Sequence, residues 1–235
     1  VLTTREGMTT GSNETFLRLW FEVNIQKRGE RWFPYSKGGE YRKWYGNNEY
    51  FVDWQSDGLS IRNFKDPKTG RIRSHNYNGE YAFKEGITWS AFSSRGATFR
   101  YSDDSFLFDS KGSKGFCDKK ILLYILAFLN SSVGERYLSY FAGAKDKKPG
   151  HIVALPYRSS DELLEPIKSL TEECIALSKQ DWDSSEVSWD FERSPLIQGY
   201  NNISEAIQQF GKTLEHRFSK LKSNEVQINE HFIKI

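Results

Sequence analysis

The sequence has few cysteines, no adjacent prolines and no long hydrophobic run. Its two cysteines, Cys117 and Cys174, are far apart, which argues against a paired-cysteine zinc site and against a disulfide scaffold. The four histidines are scattered without ligand spacing, so we expect no metal site. Because no apolar stretch approaches a membrane span and no signal-peptide pattern opens the chain, we expect a cytoplasmic protein without membrane contact.

Catalytic signatures are also missing. The chain has no G-x-G-x-x-G unit, no Walker loop and no Ser-His-Asp or Cys-His arrangement. The pairs Asp103-Asp104 and Glu172-Glu173 are adjacent in sequence, and neighbouring side chains on a strand or helix point in different directions. We therefore expect no catalytic residues and no cofactor in this chain, and we interpret it as a recognition module.

What the sequence does hold is locally dense positive charge. The formal net charge is only +2, but two segments, 27–43 and 62–73, are rich in Lys and Arg. Such clusters suit a polyanionic partner. The alternative is an ordinary solvated surface, which is the simpler interpretation of either segment alone.

The pattern of apolar residues changes along the chain and predicts an α+β fold, with an antiparallel β-rich domain followed by a helical spacer or bundle. Up to about residue 115, short β-rich runs alternate with turn sequences such as SDG, KDPKTG and NYNG. The predicted strands are 32–35, 50–54, 87–92, 99–101 and 106–109. The run NETFLRLWFEV fits either a strand or a helix.

The second half has helical spacing. We expect a helix near 120–142 that Asn130-Ser131-Ser132 interrupts, a short extended HIVALPY segment, and helices from Ser160 onward, where a Ser/Asp cap opens the first. The last helix should pack on one neighbour through a regular set of apolar residues: Ile203, Ile207, Phe210, Leu214, Phe218 and Leu221. The predicted domains are 1–158 and 159–235, the second truncated at its C-terminus.

The segment FPYSKGGEYRKWYGNNEYFVDW combines aromatics, cations and two adjacent glycines. Gly38 and Gly39 allow a sharp turn and a close approach to a partner, although most of the aromatics are expected in the core. We predict phosphate contacts from seven cations: Lys37, Arg42, Lys43, Arg62, Lys65, Arg71 and Arg73. Base-edge or phosphate contacts are predicted for a second set: Asn47, Asn48, Ser93, Ser94 and Arg95.

A resemblance adds to this interpretation. The runs KGGEYRKWYGN and DWDSSEVSWDF, with ITWSAFSS, YILAFLNSSVGERYL and GHIVALPY in the same order, are similar to the target-recognition region of adenine-specific DNA methyltransferases. The chain most resembles the PglX methyltransferases of BREX phage-defence systems, which are related to type IIG restriction-modification proteins. Trp182 and Trp189 in the second run are expected to anchor the helices on the β-rich domain.

The resemblance implies a division of labour. In this family, a separate domain binds S-adenosylmethionine and carries an Asn-Pro-Pro-Tyr-type motif that holds a flipped adenine. No such tetrapeptide occurs here, so catalysis and cofactor binding are expected elsewhere in a longer parent chain. The partners implied are double-stranded DNA and that catalytic domain.

Two other functions fit the same sequence. The helices could form a scaffold that docks other defence proteins or a DNA-mimicking phage inhibitor, because the last helix needs a partner for its apolar face. Alternatively, exposed aromatics at Tyr35, Tyr41, Trp44 and Tyr45 could stack on single-stranded RNA.

Overall fold

A computed structural model describes residues 1–76, 78–93, 95–142, 147–158, 161–197 and 199–234. Its strands are β1 (Thr3–Arg5), β2 (Leu17–Leu19), β3 (Trp32–Ser36), β4 (Tyr50–Asp53), β5 (Gly86–Trp89), β6 (Phe99–Ser102), β7 (Leu107–Phe108) and β8 (Lys114–Phe116). Its helices are α1 (Asn13–Phe16), α2 (Gln55–Arg62), α3 (Lys119–Asn130), α4 (Ser132–Phe141), α5 (Pro149–Val153), α6 (Asp161–Asp183) and α7 (Ile203–Lys234). The predicted α+β class is confirmed. No helix within the described ranges is both long enough and apolar enough to cross a membrane.

The described strands form two four-stranded sheets. The first has the order β1-β8-β5-β6 and is antiparallel throughout, with Ile87 paired to both Gly115 and Tyr101. The second has the order β2-β4-β3-β7, and its β3–β7 pair is parallel. The sheets are therefore mainly antiparallel, as predicted.

The larger core joins the first sheet to the helices. Helix α3 is apolar on nearly all sides, which is typical of a buried helix, and its residues 124–130 are all buried. Ile87 and Phe99 meet it from the sheet, and Cys174 of α6 and Phe232 of α7 belong to the same core. The helical segment thus shares one core with the β-rich region, and the division at 158/159 remains a prediction.

Several local predictions can be compared with the structure. The interruption of the central helix is confirmed, because Ser131 ends α3 and caps α4 by accepting a hydrogen bond from the Gly134 amide at 3.1 Å. The extended HIVALPY segment was wrong: residues 149–153 form α5, since a proline at the first helical position is already set for a helix. The predicted Ser160 cap lies outside the described residues.

The predicted packing of the last helix was wrong in its first half. Ile203 is 78% exposed and Phe218 is 66% exposed, whereas the buried side chains of α7 include Asn224, Ile228 and Phe232. The C-terminal half of α7 reaches the core, because α3 and α6 pack against that half and leave most of the rest uncovered. The N-terminal half therefore has an exposed apolar face.

Candidate nucleic-acid interface

The glycine pair follows β3 and makes the turn that the sequence predicts. Gly38 and Gly39 have φ angles of +90° and +133°, a region that favours glycine. The space that a Cβ atom on Gly38 would need is bounded by the Lys111 carbonyl at 3.1 Å, and Ser90 Oγ donates to the Gly39 carbonyl at 2.9 Å. In this structure, the close approach that these glycines permit is to other parts of the same chain.

Lys37, the first cation of this loop, is already engaged. Its Nζ lies 2.8 Å from Asp109 Oδ2, whose carboxylate also accepts a hydrogen bond from the Tyr35 hydroxyl at 2.9 Å. Burial, together with the negative charge of Asp109, raises the pKa of Tyr35 well above its usual range. Much of the Lys37 charge is therefore neutralised within the protein.

Arg42 and Lys43 face the helices. Arg42 forms an ion pair with Asp181 of α6, and its guanidinium lies 5.0 Å from the ring centre of Trp182. Lys43 lies 3.5 Å from Glu225 of α7. These two cations join the β-rich region to α6 and α7, a structural contact that the sequence did not indicate.

Trp182 and Trp189 anchor the helical segment, as predicted. Trp182 is buried beside Arg42, and Trp189 packs edge-on against Phe51 with their ring centres 5.4 Å apart. Trp189 also lies 4.9 Å from the guanidinium of Arg28. The specific DWDSSEVSWDF run thus has a packing role.

The asparagine pair is buried. Asn47 has a left-handed φ of +59°, and its side-chain amide donates to the Glu40 carbonyl at 2.8 Å. Asn48 is only 8% exposed. Both side chains support the turn, so neither presents a free amide for a base edge in this conformation.

Most of the aromatics in this segment also lie in the core, as expected. Tyr35 and Trp44 are almost completely buried, Tyr45 is largely buried, and Tyr41 is exposed. The stacking platform that single-stranded RNA would need is therefore absent from these four residues.

Residues 64–73 form a small projecting hairpin, here called the basic hairpin. Lys65 and Ile72 are paired across it, and the Arg73 amide donates to the Phe64 carbonyl at 2.9 Å. At its tip, Asp66 accepts hydrogen bonds from the Lys68 and Thr69 amides at 3.0 and 2.9 Å, and these bonds lower the pKa of Asp66. The side chain of Asp66 thus stabilises the turn.

The cations of the basic hairpin are exposed. Within the described ranges, none of them forms an ion pair with a carboxylate; they are Lys65, Lys68, Arg71 and Arg73. Arg62, just before the hairpin, differs because it lies 2.8 Å from the carboxylate of Asp57. The hairpin therefore presents free positive charge, whereas Arg62 belongs to α2.

The loop that follows β5 lies next to the glycine turn. Phe92 is 60% exposed, and Lys111 Nζ lies 5.5 Å from the centre of its ring. Between this loop and the glycine turn is a polar cleft of about 260 Å³, lined by residues 39–41, 92, 93 and 95. Arg95 is exposed, and Ser93 Oγ accepts a hydrogen bond from its amide at 3.3 Å. Ser94 lies outside the described residues.

One more contact connects the glycine turn to the basic hairpin. Lys37 Nζ lies 3.5 Å from Asn13 Oδ1, and Gly11, two residues earlier, packs against the backbone of Arg73. The two cationic regions are therefore linked through the segment 8–13. We call the exposed cations along this path, none of them in an ion pair among the described residues, the cation track: Lys65, Lys68, Arg71, Arg73, Lys111 and Arg95.

A buried arginine beneath the glycine turn carries no signal in the sequence. Arg100 of β6 is 1% exposed and donates to the Arg42 carbonyl at 3.2 Å and to Ser90 Oγ at 3.3 Å. Burial lowers its pKa to about 10, an effect that Glu49 partly offsets. The backbone of Trp44, which is distant from β6 in sequence, pairs with Arg100. No local sequence pattern could therefore have predicted that Arg100 is buried.

A second buried cation lies in β8. Lys114 is completely buried, and its Nζ donates to the Asp103 carbonyl at 3.1 Å. Burial lowers the pKa of Lys114 to about 7, although Asp103, Asp104 and Glu85 act in the opposite direction. This lysine supports the first sheet and cannot contact a partner.

Comparison with known proteins identifies relatives over the whole chain. No protein-family model matches it. Adenine-specific methyltransferase PglX of Lacticaseibacillus casei (strain Zhang) is 43% identical over 258 aligned positions, covering 100% of this chain and 21% of that protein. Adenine-specific methyltransferase BrxX of Escherichia coli O9:H4 (strain HS) is 33% identical over 230 positions, covering 94% of this chain and 18% of that protein.

The chain thus spans about one fifth of the length of the curated relatives that it matches. The residues of the glycine turn, the basic hairpin and both long helices all fall within the aligned part of PglX, since the alignment covers the complete chain. The predicted resemblance is therefore confirmed, because this chain matches one part of the adenine-specific methyltransferases PglX and BrxX, over 100% and 94% of its length.

Proposed function

We propose that this chain is the DNA-reading part of an adenine-specific methyltransferase in a BREX phage-defence system. It binds duplex DNA and positions the target adenine for a catalytic domain elsewhere in the longer protein. The observation that carries this proposal is the basic hairpin, whose four exposed cations have no carboxylate partner among the described residues. The relatives, both adenine-specific methyltransferases, indicate the reaction.

The physical basis is the shape and charge of the cation track. The major groove of B-DNA admits a two-stranded β-ribbon, and the basic hairpin, whose two arms are paired at Lys65 and Ile72, has a similar two-armed shape. Lys and Arg side chains that neutralise phosphates release counterions and supply affinity without sequence preference. Arg71 and Arg73 are on the second arm of the hairpin, where a guanidinium can also bond to a guanine edge.

The set of DNA contacts under this proposal differs from the set that the sequence predicts. Lys65, Arg71, Arg73 and Arg95 stay as DNA contacts, and Lys68 and Lys111 join them. The other cations and the two asparagines support the fold instead: Lys37, Arg42, Lys43, Arg62, Asn47 and Asn48.

The methyl donor belongs to the rest of the protein. Neither a G-x-G-x-x-G unit nor an Asn-Pro-Pro-Tyr tetrapeptide is present here, so we assign S-adenosylmethionine and the flipped adenine to the catalytic domain. An enzyme that modifies a base must take it out of the stack. In this proposal, the chain works in the cytoplasm and contributes position and sequence choice.

A binding selection tests the proposal. The chain is incubated with a random duplex library at moderate salt, and the bound pool is sequenced. Enrichment of one asymmetric, adenine-containing motif supports a recognition domain and identifies its site. Failure of the folded chain to bind any duplex, even at low salt, would contradict the proposal.

A second function is favoured by the exposed apolar face of α7. Ile203, Ile207 and Phe218 are exposed, and a cleft of about 450 Å³ opens between this helix, α6 and residues 41–44. Under this interpretation, the helix docks another protein of the defence system or another part of the longer chain. The double variant Ile207→Ser and Phe218→Ser should then weaken that association and leave the affinity for DNA unchanged. If the association is as strong in the variant, the docking function is wrong.

A further inference from the structure

An exposed aromatic ring lies beside Lys111 and Arg95 at one end of the cation track. Phe92 is 60% exposed, Lys111 Nζ lies 5.5 Å from its ring centre, and Arg95 lines the same cleft. We propose that Phe92 is a wedge that inserts between neighbouring base pairs when the chain binds duplex DNA. This inference rests on the proposed DNA-binding function and adds a residue that distorts the duplex.

The backbone just before Phe92 is held firmly. The Ala91 amide donates to the Lys111 carbonyl at 2.9 Å, and the Ala91 carbonyl accepts from the Lys147 amide at 2.8 Å. The buried Trp89 side chain donates to the Lys147 carbonyl at 2.8 Å. Because the backbone that carries the Phe92 ring is already fixed, the ring loses little conformational entropy when it inserts into DNA. Phe92 is therefore preorganised to act as a wedge.

The surroundings of Phe92 match what an inserted ring requires. Proteins that kink DNA insert apolar side chains such as Phe between base steps, while nearby cations hold the phosphates on either side. Lys111 and Arg95 are exposed cations close to the ring, and the open cleft lies next to it. The partial unstacking that a wedge causes also lowers the cost of flipping a neighbouring adenine.

Another exposed phenylalanine provides a contrast and a control. Phe21 is 62% exposed, but it packs edge-on against Trp20 at 5.8 Å between ring centres, and Glu22 follows it in the sequence. No cation–ring contact to Phe21 occurs among the described residues. A carboxylate next to the ring would repel phosphates, so Phe21 is not expected to enter DNA.

The test uses duplexes that carry the motif from the selection, with 2-aminopurine placed in turn at each step beside the target adenine. The fluorescence of 2-aminopurine rises when the base leaves the stack. The complete 235-residue chain is expected to raise it at one step. Phe92→Ala should abolish the rise and weaken binding about tenfold, since the stacking of a base on an aromatic ring contributes to affinity.

Three comparisons make the result specific. Phe92→Leu should keep part of the rise because leucine also acts as a wedge, and Phe21→Ala should keep all of it. The salt dependence of binding should be the same for Phe92→Ala and for the unsubstituted 235-residue chain, because the ring carries no charge. If the parent chain binds DNA without any fluorescence rise, or Phe92→Ala keeps the rise, the wedge is wrong while the DNA-binding function stands. If the parent chain binds no duplex, both proposals fail.

Discussion

Residues 27–43 contain six cations and residues 62–73 contain five, but carboxylates from distant parts of the chain pair only with the first group among the described residues. Arg31 lies 2.7 Å from Asp53, and Lys37 lies 2.8 Å from Asp109. Arg42 pairs with Asp181 of α6. In the second segment, the one ion pair that the described part of the chain shows is between Arg62 and the nearby Asp57.

The difference shows that cation density along a sequence does not measure free charge. In the first segment, the partners lie as far away in sequence as Asp181 is from Arg42 and Glu225 is from Lys43, so the fold itself neutralises the charge. In the second, the basic hairpin projects from the body and its one acidic side chain is bound by backbone amides at the tip. The first segment holds the molecule together, and the second is available to a polyanion.

The largest expected effect comes from removing the free charge. The triple variant Lys65→Ala, Arg71→Ala and Arg73→Ala should bind duplex DNA roughly 100-fold more weakly, since each charge-assisted bond to a phosphate contributes about 1 kcal/mol or more. The slope of log K against log salt should become shallower by about 0.9 for each phosphate that is no longer neutralised. Affinity titrations at four salt concentrations measure both quantities.

The control for this variant removes the same charge elsewhere. Arg193→Ala, Lys212→Ala and Lys222→Ala change exposed cations on the helical segment and should leave the salt slope unchanged. Both triple variants should keep their free energy of unfolding within about 0.5 kcal/mol of the parent, as is usual for exposed positions. An equal decrease of affinity in the two variants would show that only net charge matters.

Lys114 is neither paired with a carboxylate among the described residues nor free at the surface, because it is buried. From its burial we expect the stability of the protein to depend on pH. Because its pKa is lowered to about 7 in the folded protein, the unfolded chain binds more protons than the folded chain between pH 7 and its ordinary pKa. The contribution of Lys114 to stability therefore rises with pH in this window. Between pH 7 and 9, this contribution should grow by about 2 kcal/mol.

Urea unfolding of the parent chain and of Lys114→Met at pH 7, 8 and 9 measures this contribution. The variant should show a much smaller rise because it has no amine to titrate. Burial raises the pKa of Cys117 and Cys174 to about 12 in the folded chain. Ionisation of these thiols in the unfolded chain, which begins at about pH 8, therefore lowers the stability of both proteins equally, and the contribution of Lys114 is the difference between the two curves. A rise of the same size in Lys114→Met would remove Lys114 as its source.

The fold class was predictable because it depends on local patterns. The change from turn-rich β segments to helical spacing placed α3, α4, α6 and α7, and Ser131 interrupted the central helix as its hydrogen-bonding chemistry suggests. The sequence SDG, residues 56–58, was predicted to be a turn, and all three of its residues have left-handed φ angles. The helical residues of α2 follow this turn. The exposed half of α7 was not predictable, since it depends on how neighbouring helices are placed.

The candidate site was less predictable, because it depends on contacts between distant residues. The sequence identified both cationic segments and the glycine turn but could not show that Asp181 and Glu225 lie opposite Arg42 and Lys43. Arg100 and Lys114 resemble surface cations in sequence and are buried because segments far along the chain cover them. Charge pairing across long separations is therefore the information that a single sequence lacks.

The finest test compares one cation from each class. Arg95 is exposed and outside every ion pair found among the described residues, whereas Arg42 is paired with Asp181. Arg95→Ala should weaken duplex binding about fivefold and reduce the salt slope by about 1, as expected when one phosphate is no longer neutralised. Arg42→Ala should leave the slope unchanged and lower the free energy of unfolding by about 1 kcal/mol, because its partly exposed ion pair is screened by solvent.

The two variants remove the same formal charge, so the parent and each variant can be compared by affinity titration and by urea unfolding under identical buffers. A slope that falls equally for both would mean that Asp181 releases Arg42 when DNA binds, and the distinction between paired and free cations would then hold only for the unbound protein. A slope that falls for Arg95→Ala alone would mean that the ion pairs of the fold persist in the complex, because a guanidinium held by a carboxylate displaces no counterion from a phosphate.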